Sequence, residues 1–428
     1  MPWLLDALYT IALVLLSPWL AWRAVRTGRY RQGLLDKLLG LRGPVPPGAV
    51  WFHGVSVGEI HLLRQVVAAL RRRRPELACV VSATTETGLA EARKAFAELA
   101  VFPFPLDFSW AVRRTLRAVR PALVVLAESE MWPNFLLACR RRGVPVAVIN
   151  GRMSPRSRRR FARLGGIARW MFSHIDLFAM QTDEYADAVR DIGISAGRVH
   201  VTGSVKYDGV SGDRDNPRSA RLRQLMDIKP GELVWIAGST QAPEEEIVLD
   251  LCRQLRVDWP RLRVFVVPRQ KDRFDEVARL LERSGLPFGR RSTGAGLSAP
   301  VVLVDTIGEL GALWGLADVA FVGGSLDGRR GGQNMIEPAA YGAAVVFGPH
   351  VWNFADTALR LSQAGGAVQV QDAAELGVTV RHLLGDKAAR HRMGSTASEF
   401  VRAQQGATQR TVELLDGLLQ DRGAGRAA

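Results

Sequence analysis

Residues 50–74 read VWFHGVSVGEIHLLRQVVAALRRRR, and they decide the fold. Val50–Val55 is a short, β-rich apolar run. A glycine-containing turn follows, and a helical stretch runs from Ile60 to Arg74. The same unit recurs along the chain. Cys79–Ala83, Leu123–Ala127, Val144–Ile149 and Val199–Gly203 also read as strands. A second set is Leu233–Gly238, Arg263–Val267, Val301–Val304, Val319–Gly323 and Ala344–Phe347, with helical stretches such as Phe274–Ser284 between. Several runs are continuously apolar, as parallel strands covered by helices on both faces must be. A chain of 428 residues is too long for one typical core. The pattern predicts two doubly wound α/β domains with ligands at the carboxyl ends of the strands, in the cleft between them. The break falls after Lys206-Tyr207-Asp208, where Gly209–Pro217 is rich in Gly, Asp, Asn and Pro. The expected layout is an N-terminal segment 1–30, a first domain 31–208, a linker 209–217 and a second domain 218–428.

The net charge of +15 is unevenly placed. Residues 1–208 hold 30 Lys+Arg against 16 Asp+Glu, and residues 209–428 hold 27 against 26. An Arg-rich composition that decorates solvated helices accounts for part of the excess but not for the asymmetry. Nucleic acid, an anionic membrane surface or a phosphorylated substrate would each suit the basic half. The three cysteines, Cys79, Cys139 and Cys252, form no C-x-x-C pair and read as reduced and structural.

Ala7–Trp22 is apolar apart from Thr10, Ser17 and Pro18, and Arg23, Arg26, Arg29 and Arg31 follow at once. As a helix it spans roughly 24 Å at about 1.5 Å per residue, short of a bilayer core of about 30 Å. The positive charge follows the run rather than preceding it, which argues against a cleaved signal peptide and for a cytoplasmic body. The expectation is an anchor on, or barely through, the inner membrane. A buried first helix is the competing expectation.

Several motifs sit at predicted strand ends. Glu59, in His53-Gly54-Val55-Ser56-Val57-Gly58-Glu59, stands at the mouth of the first βα loop, where a carboxylate can take a proton from a hydroxyl. An acid in a helix's first turn is also stabilised by the helix dipole, and the residues alone favour that slightly. Glu128 and Glu130, in Glu128-Ser129-Glu130-Met131-Trp132-Pro133-Asn134, follow a buried strand. Their i, i+2 spacing aims them apart, so one is expected to line the cleft and the other to cap the helix after Pro133. Lys206, in Val201-Thr202-Gly203-Ser204-Val205-Lys206, can steady a phosphate or simply lie on the surface beside the linker.

The second half carries Gly238-Ser239-Thr240, Pro268-Arg269, Ile307-Gly308-Glu309-Leu310, Gly323-Gly324-Ser325 and Gly331-Gly332-Gln333-Asn334-Met335-Ile336-Glu337-Pro338. Glycine lets backbone approach a ligand closely, and an arginine can clamp phosphate or carboxylate. Glu337 can accept from ribose hydroxyls. Weak singly, these strand ends together point to a nucleotide. No G-x-G-x-x-G follows a strand and no P-loop occurs, against dinucleotide oxidoreductases and P-loop NTPases. No C-x-x-C or H-E-x-x-H is present, so no metal is expected. Aromatic–basic interleaving is not evident, so no nucleic-acid partner is expected.

As an ordered set, H-G-V-S-V-G-E, E-S-E-M-W-P-N, V-T-G-S-V-K-Y-D, V-P-R, I-G-E-L, G-G-S-L, G-G-Q-N-M-I-E-P and G-P-H-V-W-N-F make the sequence resemble the 3-deoxy-D-manno-octulosonic acid (Kdo) transferases of lipopolysaccharide synthesis. The resemblance covers nearly the whole chain. It implies a GT-B fold of two Rossmann-like domains and transfer of Kdo from a CMP-Kdo donor to a lipid A precursor acceptor at the anionic inner membrane surface, without a cofactor. It implies that Glu59 is the general base and that Glu128 and Lys206 steady the transition state. Pro268-Arg269, Ile307-Gly308-Glu309 and Asn334-Met335-Ile336-Glu337 would bind CMP, with Ser239, Gly324 and Ser325 beside them. Gln333 stands where that family usually has His, and the loop Asp327–Arg330 is about one residue longer. Another GT-B nucleotide-sugar enzyme, or a membrane-tethered nucleotide-binding protein without catalysis, is the alternative.

Overall fold

A computed structural model describes residues 2–27, 34–41, 45–128 and 130–427. Arg29, Arg31, Ser129 and the expected boundary at residues 30–31 lie outside the described residues. The chain forms two compact units, Met1–Gly209 with Gln405–Ala428, and Val210–Gln404.

The first unit is built on seven parallel strands: β1 Val50–Gly54, β2 Cys79–Ala83, β3 Ala100–Pro103, β4 Leu123–Ala127, β5 Val146–Gly151, β6 Leu177–Met180 and β7 Val199–Val201. Their order is β3-β2-β1-β4-β5-β6-β7, so the winding reverses between β1 and β4. Every residue of β1, β2, β4 and β5 is buried. The pleat sends successive side chains to opposite faces. Trp51 enters a core with Phe102, Phe104 and Phe135, whereas Val50 and Phe52 meet Ile60, Leu63 and Val66 of the helix Val57–Arg73.

The second unit repeats the plan with β8 Val234–Thr240, β9 Arg263–Pro268, β10 Phe288–Arg290, β11 Val301–Leu303, β12 Val319–Val322, β13 Ala344–Phe347 and β14 Ala367–Gln369. The order β10-β11-β9-β8-β12-β13-β14 reverses between β8 and β12. All ten expected strands are present. The four that the sequence does not announce, β3, β6, β10 and β14, are three or four residues long; β3, β10 and β14 are sheet edges and β6 lies next to one.

Two expected boundaries are corrected. Where the sequence predicts a second domain running to Ala428, residues 405–428 return to the first unit. The helix Ala407–Ala427 buries Ala407, Val412 and Leu415 in the core that holds Ile60 and Val66. Asp416 takes Arg73 Nε and Arg74 Nε, each at 2.8 Å, and Asp208 accepts from Gly406 N–H at 2.7 Å. The predicted linker 209–217 belongs to the second unit from Val210 onward. Arg214 pins it by donating to the carbonyls of Tyr341 at 2.6 Å and Ala317 at 2.7 Å.

The N-terminal run is a helix, Pro2–Thr27, with Pro18 inside it. Trp3, Leu8, Ile11, Val14 and Leu15 are exposed, yet among the described residues no helix is long and apolar enough to cross a membrane. Asp6 accepts from Ser109 N–H at 2.8 Å and from Asn134 Nδ2 at 3.1 Å. Tyr9 donates to Asp107 at 3.1 Å. One polar stripe therefore fastens this helix to the first unit.

Candidate active site

In a doubly wound sheet, ligands meet the carboxyl ends of strands where the order reverses. In the first unit that point lies after β1 and β4, and Glu59 and Glu128 follow those two strands.

Glu59 is the third residue of its helix, behind the cap residue Ser56. Its N–H donates to Ser56 Oγ at 3.4 Å, Ser56 Oγ donates to Glu59 Oε1 at 3.1 Å, and Val55 N–H donates to Oε2 at 2.7 Å. This is close to a reciprocal capping box, so the carboxylate has a structural task as well. Gly54 lets the helix come this close, because a Cβ there would sit 3.1 Å from Glu59 Cβ. Burial raises the Glu59 carboxyl above its ordinary range, opposed by the Val55 N–H and Ser56 hydroxyl bonds and reinforced by the charges of Glu128 and Glu130.

Glu128 has a left-handed backbone, with φ of 58°, rare for a residue with a side chain. Its carboxylate stands between two cations, Lys206 Nζ at 3.5 Å from Oε1 and Arg152 Nε at 3.4 Å from Oε2. Asn150 ties their segments together. Its buried Oδ1 accepts from Ser204 Oγ at 3.2 Å and Val205 N–H at 3.0 Å. The structure thus brings Glu128 and Lys206 together and adds Arg152, which the sequence did not single out. The Asn150-Gly151-Arg152 sequence, at the end of a continuous apolar run, was the available signal.

Neither Glu128 nor Glu130 caps the helix Pro133–Arg141, contrary to the sequence expectation. Asp107 does so from another loop, accepting from Asn134 N–H at 3.0 Å and Phe135 N–H at 2.8 Å, and burial pushes its carboxyl up to about 6. Glu130 accepts instead from Trp132 Nε1 at 3.1 Å. His53 is a core residue, stacked on Phe104 at 3.8 Å with Nδ1 3.0 Å from Ser82 Oγ. Burial lowers its imidazole to about 3, which keeps it neutral.

In the second unit the reversal lies after β8 and β12. Glu244, fully buried, fills it from below. Its carboxylate accepts from Gly324 N–H at 2.7 Å, Gln241 N–H at 2.9 Å, Ser325 N–H at 2.9 Å and Leu326 N–H at 3.1 Å. A Cβ at Gly323 would lie 2.7 Å from Glu244 Oε2, so only glycine fits there. Burial nevertheless pushes Glu244 upward against those four donors. Sequence reasoning missed it, because Glu244-Glu245-Glu246 looks like an ordinary acidic first turn.

Around this loop Arg269 is exposed and its Nε donates to Gln333 Oε1 at 3.2 Å. Asn334 Nδ2 donates to Glu337 Oε1 at 3.0 Å, and burial raises Glu337 against the pull of Asn334 and of Arg269. Glu309 is paired with Arg291 Nη2 at 2.7 Å. Ile307 and Gly308 are exposed and Ser239 is half-buried with φ of 57°. Four expected contacts change character. Pro268, Met335 and Ile336 are buried in the core rather than presented to a ligand. Ser325 is also buried, with Oγ donating to Val322 O at 2.7 Å and accepting from Gly348 N–H at 2.9 Å.

Comparison with known proteins follows the same lines. A family described as "3-Deoxy-D-manno-octulosonic-acid transferase (kdotransferase)" matches residues 24–209. The chain is 36% identical to a 3-deoxy-D-manno-octulosonic acid transferase of Bordetella pertussis, over 96% of this chain and 99% of that one. It is 33% identical to the transferase of that name from Haemophilus influenzae, over 96% and 98%. In fold it is like a glycosyltransferase from Rickettsia africae, with a TM-score of 0.56 at 11% identity over 87% of this chain and 99% of that one. Two such sheets in one chain are the GT-B fold.

Proposed function

The chain belongs to the family of 3-deoxy-D-manno-octulosonic acid transferases, and from that premise we propose that it moves Kdo from CMP-Kdo to a lipid A precursor of the lipid IVA type, working from the cytoplasmic face of the inner membrane. The observation that carries this reading is the meeting of Glu59 with the Glu128–Lys206–Arg152 group where the first sheet reverses.

Glu59 takes the proton of an acceptor hydroxyl as its oxygen bonds to the anomeric carbon of Kdo. The bond from that carbon to the CMP phosphate breaks, and its electron pair leaves with CMP. Attack opposite the leaving group inverts the anomeric configuration. Positive charge develops on the sugar carbon and negative charge on the phosphate. Glu128 faces the former, while Lys206 balances the latter. The raised carboxyl of Glu59 suits a base, since proton transfer is most effective when its pKa approaches working pH. Pro268-Arg269, Ile307–Glu309 and Asn334–Glu337 hold CMP, with Ser239, Gly324 and Ser325 shaping the loop beside it.

The acceptor carries phosphates and lies in an anionic membrane. Two features of the first unit suit it. The helix Pro2–Thr27 exposes apolar side chains and sets Arg23 over Trp19 and Arg26 over Trp22, an interfacial pattern. The helix Pro155–Leu164 exposes Arg156, Arg159, Arg160 and Arg163 around a depression of about 1000 Å³. Arg73 and Arg74 are engaged by Asp416 and are structural. The test is a donor screen. CMP-Kdo should support transfer and UDP-sugars should not. Turnover of a UDP-sugar with none of CMP-Kdo would favour another GT-B nucleotide-sugar enzyme.

A further inference from the structure

Arg152 stands with Glu128 and Lys206 at the first unit's switch point, and the proposed reaction gives it no task. Its side chain is 53% exposed, against 35% for Lys206 and 16% for Glu128. It contacts Glu128 through Nε, at the inner end of the guanidinium. Its backbone is held firmly, since it follows β5 directly. Asn150, two residues earlier, has φ of 50° and locks that strand end to the segment bearing Lys206. Glu128 therefore orients two cations whose segments cannot drift apart, and this trio carries one net positive charge.

The sugar that this family transfers is an acid, and its carboxylate sits on the carbon that reacts. A group that stabilises positive charge at that carbon must also accommodate a fixed negative charge one bond away. Glu128 alone would repel it. A planar guanidinium offers parallel donors matched to a carboxylate, which an ammonium does not. We propose that Arg152 binds the carboxylate of the transferred sugar acid, holding the anomeric carbon over Glu128 and cancelling the repulsion between the two carboxylates. This rests on the donor reading above. It assigns Arg152 to substrate recognition, distinct from merely positioning Glu128.

The two roles separate in a double-substitution experiment on the full chain. Transfer is measured with CMP-Kdo and with the analogue whose sugar carboxylate is a carboxamide, for wild type and Arg152→Gln, with CMP affinity measured alongside. With the native donor, Arg152→Gln should lose about 10²-fold in kcat/KM and keep its CMP affinity. With the carboxamide, wild type should already be slow and Arg152→Gln should add less than about 3-fold, because the charge it would bind is gone. Arg152→Lys should recover only part of the native rate. Equal losses on both donors would mean that Arg152 only positions Glu128, and would overturn the proposal while leaving the Kdo reading intact. No transfer by the wild type from CMP-Kdo would overturn the Kdo reading, and this proposal with it.

Discussion

The two units wind their sheets in the same way and use the reversal point in opposite ways. After β1 and β4 the first unit presents charge outward, with Glu59, Glu128, Lys206 and Arg152 half-buried or exposed at loop ends. After β8 and β12 the second unit turns its carboxylate inward, where Glu244 is consumed by four backbone N–H groups and shapes a glycine loop. The first arrangement can move protons and stabilise changing charge. The second cannot, but it fixes backbone against which a nucleotide can lie. Net charge follows the same division. The first unit, with residues 405–428 included, holds 33 Lys+Arg against 19 Asp+Glu, and the second holds 24 against 23. On the proposed reading, one topology serves chemistry in one unit and binding in the other, according to whether its switch-point carboxylates face solvent or backbone.

The largest effect should come from Glu59→Gln. Glutamine keeps the cap bond to Val55 N–H but cannot accept a proton, so turnover should fall by about 10²–10⁴-fold with an unchanged melting temperature and CMP affinity. Near wild-type turnover would remove Glu59 from the reaction and leave it a cap. Glu244→Gln should do the reverse. Gln presents a donor where two oxygens served four N–H groups, so the second unit should lose about 1.5–3 kcal/mol of stability in denaturant melts and bind CMP poorly. A variant with full stability would mean that the buried carboxylate does not hold the loop.

A smaller effect is expected from Arg269→Ala, about 10-fold weaker CMP binding by calorimetry, since on the proposed reading it removes one charged phosphate contact. The pH profile sharpens the contrast further. Because the Glu59 carboxyl is raised and must be ionised to act, kcat/KM should rise with pH through a midpoint above the ordinary glutamate value of about 4.3, and fall off below it. His53 should contribute nothing to that limb. Its folded imidazole titrates at about 3 and the unfolded one at about 6.5, so the folded chain stays neutral there while the unfolded chain takes up a proton. The stability that His53 contributes is therefore present above pH 6.5 and lost as pH falls towards 3. Its ring resonances should stay flat between pH 8 and 4, and titration near 6.5 would contradict the burial argument.

Much of this was legible in the sequence, for definite reasons. Long continuous apolar strands announce a parallel sheet, and glycine-punctuated strand ends mark its loops. Glu59, Glu128 and Lys206 all fall at strand ends, the first and last near a glycine. What stayed hidden depends on contacts between residues far apart in the chain. Asp107 caps a helix 27 residues later. Glu244 reaches loop residues 80 to 82 positions away. The final helix returns to the first unit because its apolar stripe and Asp416 match the helix Val57–Arg73 some 340 residues earlier. Arg152 lacked a local signal beyond the Asn150-Gly151 pair before it, since its partner Glu128 lies on another strand end.

The most direct measurement is the mass of the acceptor after incubation. Purified full-length protein is mixed with CMP-Kdo and tetra-acylated lipid A precursor, and the lipid is weighed by mass spectrometry beside the Glu59→Gln variant. A mass gain of one or more Kdo residues with wild type and almost none with the variant is the predicted result. An unchanged lipid with wild type, or equal gains with both, would contradict the account.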